Sequence, residues 1–188
     1  MAEDVGIYLN EVKKAVESLD KRQIGRVISS IFDAYKKNKQ IFIIGNGGSA
    51  TTATHFANDL CKFCNVESKK RFRAISLTDN ISTITAWAND TGYDQVFSQQ
   101  LLNFVNKGDL LIALSASGNS QNIIEAVKTA KGCKAKTIGF VGFDGGKLMK
   151  IADEYIHVDY HDFGIVESIH LVLEHLIVNS IKKRLQVT

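Results

Sequence analysis

Residues 41–50 read IFIIGNGGSA, four apolar residues followed at once by a glycine-rich turn. A strand without polar alternation is expected where helices cover both faces of a parallel sheet. The turn from Gly45 to Ala50 then opens a helix, whose free backbone N–H groups and dipole can receive an anion. The stretch therefore predicts a buried parallel strand that leads into an anion-binding helix start.

Four further apolar runs follow, and the intervals between them leave room for helices. The predicted strands are 41–44, 72–77, 110–114, 137–141 and 155–158. The predicted helices are two amphipathic segments within 7–19 and 24–32, then 49–61, 95–106, 119–131 and 166–185. Alternating strands and helices indicate a mostly parallel sheet. We therefore predict one α/β domain over residues 1–188, a three-layer sandwich with a five-stranded parallel sheet, in which residues 1–38 form a helical N-terminal part.

Composition excludes several classes of protein. A chain of 188 residues with 45% hydrophobic content can bury one substantial core. The net charge of +3 is too small to indicate a nucleic acid partner. The N-terminus lacks a signal peptide pattern and the apolar runs look too short to cross a bilayer, so we expect a cytoplasmic protein with no membrane partner. Three cysteines fit a reducing compartment, and the pair Cys61 and Cys64 is interpreted as two ordinary thiols.

A second strand-to-helix loop, residues 115–120, reads SASGNS. Hydroxyl and amide donors at a helix start can surround a phosphate without a cation, whereas simple helix capping would need only one of these residues. The first loop also fits a permissive dinucleotide pattern, but no acidic residue follows at the required spacing, and a Walker lysine is missing. Phosphate binding is therefore favoured over nicotinamide or nucleoside triphosphate binding.

Both loops resemble those of the sugar isomerase (SIS) domain, and four longer segments are similar to the phosphoheptose isomerase family. The segments are IFIIGNGGSATTATHFANDL (41–60), AISLTDNISTITAWANDTGYDQVFSQQL (74–101), LSASGNSQNIIEAVKTAK (114–131) and IVESIHLVLEHLI (165–177). The resemblance implies a flavodoxin-like SIS fold and a homotetramer with active sites between subunits, often holding zinc. It also implies an aldose-ketose isomerase that converts sedoheptulose 7-phosphate to D-glycero-D-manno-heptose 7-phosphate, for lipopolysaccharide or capsule.

The same resemblance implies a set of site residues. Phosphate would be bound by Ser115, Ser117 and Ser120, and the sugar by Asn46, Gly47, Ser49, Asp90 and Glu167. The metal set would be His55, Asp59, Glu167 and His175, with Asp59 and His175 transferring protons. Physical chemistry is compatible with this set, because His55 and Asp59 lie four residues apart and share one helix face. An isomerisation through an enediolate also needs an acid, a base and a stabilised oxyanion.

Two points stay open at this stage. Glu167 and His175 are eight residues apart, about 12 Å along a regular helix, so either the helix begins after Glu167 or two subunits contribute to each site. This chain also carries Asp59 where the family usually has Glu, Glu167 where it has Gln, and Ala116 in place of a threonine. One alternative is a pentose or hexose phosphate as substrate. Another is a non-catalytic SIS domain that senses phosphosugars or binds a replication or transcription partner.

Overall fold

A computed structural model describes residues 2–187; Met1 and Thr188, the ends of the predicted domain, lie outside the described residues. Its centre is a five-stranded parallel sheet in the order β2-β1-β3-β4-β5. The strands are β1 (Gln40–Ile44), β2 (Arg73–Ser76), β3 (Leu110–Ser115), β4 (Lys136–Val141) and β5 (Glu154–His157). The helices are α1 (Ala2–Glu17), α2 (Lys21–Lys36), α3 (Gly48–Asn58), α4 (Ile81–Asp90), α5 (Ser98–Phe104), α6 (Gln121–Gly132), α7 (Gly146–Ile151) and α8 (Phe163–Val187).

Two apolar cores lie on opposite faces of the sheet. In β1, Ile41 and Ile43 pack into the core formed with α2, α3 and α8, while Phe42 and Ile44 pack into the core formed with α5 and α6. Successive side chains of a strand point to opposite faces, so burial on both faces requires apolar residues at every position. The predicted three-layer α/β fold with five parallel strands is confirmed.

The local differences from the prediction have physical causes. Helix α4 was not predicted because its core-facing stripe is short: Ile84, Trp87 and Ala88 pack against a core but are only partly buried within the single chain. The predicted helix 95–106 is a short 3-10 turn, Tyr93–Gln95, followed by α5. The predicted helix 49–61 ends at Asn58 and continues as a π-helical turn, Asp59–Phe63.

Helix α8 corrects the expectation that every apolar stretch is too short to cross a bilayer. It has 25 residues and a mean hydropathy of 1.3 in its most apolar window, which is long and apolar enough by length and composition. Half of that window is buried inside the protein, where Val166, Ile169, Leu173 and Ile177 pack into one of the two cores. A buried core helix passes the same test, so this helix is weak evidence for a membrane span.

Candidate active site

The two glycine- and serine-rich loops meet in one cleft beyond the carboxyl ends of β1 and β3. A cavity of about 150 Å³ opens there. It is lined by Asn46, Ser49, Leu114, Ser115, Ala116, Ser117, Ser120, Phe163 and Glu167. Ligands of open parallel sheets bind in this position because loops from neighbouring strands converge there. Most of the predicted phosphate and sugar residues therefore lie together, with hydroxyl and amide donors but no lysine or arginine in the cavity wall as described.

A reciprocal amide pair joins the two loops. The side-chain amide of Asn46 donates to Asn122 Oδ1 at 2.9 Å, and that of Asn122 donates back to Asn46 Oδ1 at 2.8 Å. The hydroxyl of Tyr93 also donates to Asn46 Oδ1, at 3.1 Å. Gly47 lies beside this pair with φ of 54°, a conformation that favours glycine. Asn46 is therefore held in one orientation, and no local pattern in the sequence indicated that Asn122 and Tyr93 would hold it.

The serine loop is shaped by its own hydrogen bonds. The backbone N–H of Gly118 donates to the Ser115 carbonyl at 2.9 Å, and that of Asn119 donates to Ser117 Oγ at 3.2 Å. The hydroxyls of Ser115 and Ser120 lie 3.4 Å apart. Helix α6 begins directly after Ser120, so its first N–H groups and positive dipole end face the same place. The loop can thus present hydroxyl and amide donors to a phosphate.

Helices α3 and α8 run parallel and pack side by side. At the first turn of α3, Gly48 lies against the Glu167 carboxylate, leaving no room there for a Cβ atom. Seven residues further along each helix, a rise of about 10 Å, His55 of α3 meets Glu174 and His175 of α8. The contact continues after α3, where the Cys64 thiol donates to the Val178 carbonyl at 3.4 Å.

A group of four possible metal ligands occupies this second contact. The ligand atoms of His55, Asp59, Glu174 and His175 all lie within 4.8 Å of one another. His55 Nε2 is 3.7 Å from Asp59 Oδ2, and His175 Nε2 is 3.4 Å from Glu174 Oε2. The two imidazole rings meet edge to face, 4.9 Å between centroids. Both histidines are about half exposed, so the group opens to the surface on one side.

The chemistry of this group fits a divalent metal ion. Imidazole nitrogens and carboxylate oxygens are the usual ligands of zinc after thiolates. The Glu174 carboxylate is fully buried, and neither oxygen has a hydrogen-bond partner among the described residues. Burial, with a smaller effect of the neighbouring Asp59 carboxylate, raises the pKa of Glu174 to about 8. A cation between these side chains would compensate the buried charge.

Glu167 does not lie in this group within the single chain, so its role as a metal ligand stays a prediction and would need a contribution from a second subunit. Helix α8 already begins at Phe163, so the open possibility that the helix starts after Glu167 is wrong. Its regular rise places Glu167 beside Gly48 at the cavity, two turns from His175. Glu174 occupies the corresponding place in the metal group. The sequence contained one signal for Glu174 as a possible ligand: it is an acidic residue directly before the candidate ligand His175.

Two neighbouring features complete the description of the site. Asp90 is exposed at the end of α4, where it accepts a hydrogen bond from Asn89 at 2.8 Å, and it is not among the residues that line the cavity. Cys61 and Cys64 carry free thiols. Burial, together with the Asp59 carboxylate, raises the pKa of Cys64 to about 12, so this thiol stays protonated and unreactive.

Comparison with known proteins agrees with this geometry. The sequence profile of the SIS domain matches residues 7–142. The chain belongs to the SIS domain family. It is 38% identical over 181 residues to a probable phosphoheptose isomerase of Thermoplasma acidophilum, covering 96% of this chain and 99% of that protein. It is 36% identical to the phosphoheptose isomerase of Helicobacter pylori, covering 92% of this chain and 88% of that protein.

Solved structures place this SIS domain protein in the same group. The phosphoheptose isomerase GmhA of Neisseria gonorrhoeae superposes with a TM-score of 0.90 at 30% identity, covering 97% of this chain and 98% of that one. The phosphoheptose isomerase of Francisella tularensis gives a TM-score of 0.89 at 25% identity, again covering 97% and 98%. The predicted family resemblance is confirmed, as is the prediction of an enzyme: the chain is a phosphosugar isomerase.

Proposed function

We propose that this chain interconverts sedoheptulose 7-phosphate and D-glycero-D-manno-heptose 7-phosphate. The observation that carries the proposal is the spacing between the phosphate cleft and the metal group, which lie about 10 Å apart along both α3 and α8. The names of the full-length relatives support the same substrate. The product would supply heptose for surface polysaccharides. We also propose a cytoplasmic location, because sugar phosphates are formed there.

The spacing favours a long sugar over a short one. An extended seven-carbon chain with phosphate on its last oxygen measures about 10 Å from C1 to phosphorus, because each of its eight bonds, about 1.5 Å long, advances the zigzag by about 1.25 Å. A pentose phosphate lacks two of these carbons and is shorter by about 2.5 Å. In the proposed binding mode, a heptose phosphate held at Ser115, Ser117 and Ser120 extends past Glu167 along α3 and α8, so that its C1 and C2 atoms approach His55 and His175, and a pentose phosphate extends less far.

Each predicted substrate contact has support in its surroundings. Asn46 is oriented by Asn122 and Tyr93, and its neighbour Gly47 has the positive φ that brings the turn close to a ligand. Ser49 and Glu167 line the cavity. Asp90 lies three residues before Tyr93, whose hydroxyl reaches Asn46, so its segment borders the cleft. These residues would bind the hydroxyls along the sugar chain.

Asp59 and His175 would move the protons. In the proposed reaction, a base takes the proton from C2 of the aldose or C1 of the ketose, leaving an enediolate. The same proton, or one from solvent, returns to the neighbouring carbon, while a second group moves the hydroxyl proton between the two oxygens. Asp59 has two carboxylate oxygens and His175 has two ring nitrogens. When one of these atoms binds a metal, the second atom of the same side chain remains available for a proton. Zinc, when bound by this group, would polarise the substrate carbonyl.

A homotetramer is part of the proposal. Helix α1 packs on α8 yet leaves Val5, Ile7 and Leu9 exposed, and Val172 and Leu176 of α8 are exposed beside His175. Exposed apolar side chains on packed helices are candidates for a subunit interface. A second copy on this surface would also close the open side of the metal group. Size-exclusion chromatography with light scattering should give a tetramer that Leu9→Glu disrupts. The control Leu102→Glu, at an exposed position of α5, should leave the tetramer intact, and a monomeric wild type would contradict the proposal.

Turnover is tested with purified protein and sedoheptulose 7-phosphate, followed by NMR of the anomeric signals with and without zinc. His175→Ala should lower kcat by about 10²- to 10⁴-fold, because a proton-transfer group is lost, while calorimetry still detects phosphosugar binding. The exposed His161 lies outside the cavity and the metal group, so His161→Ala serves as the control. Absence of turnover by the wild type in both conditions would reject the heptose assignment.

A further inference from the structure

We propose that Glu174 is a direct metal ligand of this chain, so that the site holds its ion with two histidines and two carboxylates, His55, Asp59, Glu174 and His175. The inference deepens the proposed function, since it concerns the same metal group. It assigns to α8 a carboxylate ligand where the family resemblance placed Glu167.

The first observation is the state of the Glu174 carboxylate. It has no exposed surface, and neither oxygen accepts a hydrogen bond from any part of the chain that the structure describes. A buried carboxylate without a partner costs several kcal/mol, and buried polar groups in folded proteins are almost always paired. An unpaired side chain aimed into a cluster of metal ligands indicates that its partner is an ion.

The second observation concerns the groups around that carboxylate. The nearest charged or ionisable side chains are His175, His55 and Asp59, with the Cys64 thiol nearby. Lys182 lies further along α8, with its ammonium over the Phe63 ring at 3.9 Å. Each carboxylate thus faces one imidazole, with His175 Nε2 3.4 Å from Glu174 and His55 Nε2 3.7 Å from Asp59. A neutral imidazole leaves the charge of its carboxylate uncompensated. A divalent cation at the centre of the group balances both.

The third observation is the length of the opposing side chain. Asp59 approaches from the α3 side with a side chain one methylene shorter than that of Glu174. Glu174 approaches from α8, on the other side of the group, and its oxygens lie within 4.8 Å of the Asp59, His55 and His175 ligand atoms. The two carboxylates therefore reach the group from different helical segments. Two carboxylates and two neutral imidazoles give a donor set that neutralises Zn²⁺ and suits tetrahedral coordination.

The experiment compares metal binding by the full-length wild type, Glu174→Gln, Glu174→Leu and Glu167→Gln. The probes are Zn²⁺, measured by competition with a chromophoric chelator, and Co²⁺, whose visible absorption reports ligand number and type. Glu174→Gln should weaken Zn²⁺ binding by more than the roughly 10- to 100-fold typical of groups that act through another ligand, and should change the Co²⁺ spectrum. Glu167→Gln is the matched control and should leave both unchanged.

Glu174→Leu separates a ligand from a merely structural residue. Without metal it should melt at a higher temperature than the wild type, because an unpaired buried carboxylate is replaced by an apolar side chain. With Zn²⁺ the order should reverse, because only the wild type gains stability from the ion. Equal Zn²⁺ affinity and Co²⁺ spectra for the wild type and Glu174→Gln, or loss of binding in Glu167→Gln instead, would overturn the inference. These readouts need no sugar, so they are independent of the heptose assignment.

Discussion

Gly118→Ala is expected to be strongly destabilising although it adds a single methyl group. Gly118 has φ of 63°, and an alanine in that left-handed conformation costs about 1 kcal/mol. A Cβ atom there would also collide with the Gly145 carbonyl group and lie 3.1 Å from the Gly146 nitrogen. Backbone atoms cannot turn aside as a side chain can, and overpacking of this kind costs about 1–3 kcal/mol. The sum is about 2–4 kcal/mol.

The same change should weaken phosphate binding. Gly118 holds the serine loop in place twice, through its N–H to the Ser115 carbonyl and its carbonyl to the Leu148 N–H, both at 2.9 Å. If the loop moves to relieve the collision, these hydrogen bonds are strained and the donors of Ser117 and Ser120 are displaced. Calorimetric titration with sedoheptulose 7-phosphate should therefore show a higher Kd for Gly118→Ala than for the wild type.

Urea unfolding followed by circular dichroism, at one fixed protein concentration, measures the stability change. For a chain of this size, a loss of about 2–4 kcal/mol corresponds to a fall in Tm of about 4 to 16 °C. Gly25→Ala in α2 is the control, because a methyl group added there meets nothing within 4 Å and the helix gains about 1 kcal/mol from alanine. Equal stability of Gly118→Ala and the wild type would refute the steric reasoning.

Three further outcomes are expected. Burial raises the pKa of Asp153, but hydrogen bonds from Lys131 and Thr137 outweigh this effect and hold the pKa below its ordinary value of 3.8. The ionised Asp153 side chain therefore contributes its full stabilisation above pH 3.8 and loses it as the pH falls further. In an acid titration, Asp153→Asn should lose stability less steeply than the wild type. Cys64 should resist iodoacetamide at about pH 8 in the native protein and react only after unfolding, as mass spectrometry of alkylated peptides would show; rapid native labelling would contradict its raised pKa of about 12. Phe140→Ala should lower the free energy of unfolding, measured in urea, by about 3–5 kcal/mol, because this fully buried ring packs edge to face on Phe56 and His170. A loss below about 1 kcal/mol would contradict this, because it would mean that the core closes the cavity left by the ring.

The sheet and the phosphate cleft could be predicted because their signals are local. An unbroken apolar run such as 41–44 identifies a strand covered on both faces, and the glycine and serine residues that follow β1 and β3 must converge when those strands are parallel neighbours. Helix α4 was not predicted because its apolar signal is weak: only Ile84, Trp87 and Ala88 face the core, and they are partly buried within one chain.

The metal group could be predicted only in part. His55 and Asp59 lie four residues apart where α3 continues into the π-helical turn, so their spacing in the sequence already places them together. The choice between Glu167 and Glu174 depends on how α3 and α8 align along their length, which is set by the contact of Gly48 with Glu167 and by core packing between distant segments. The family resemblance pointed to Glu167, which aligns with a site position of the family. The acidic residue that lies in the group is Glu174, two turns further along α8 and next to His175.

The amide pair between Asn46 and Asn122 has a wider consequence. Asn46 lies in the turn that leads to α3, on one face of the sheet, and Asn122 lies in α6, on the other face. These two side chains therefore tie the two outer helical layers together above the strands. A sugar that docks there resists any sliding of one layer past the other, so substrate should slow hydrogen exchange in helices on both sides, including turns that it never touches.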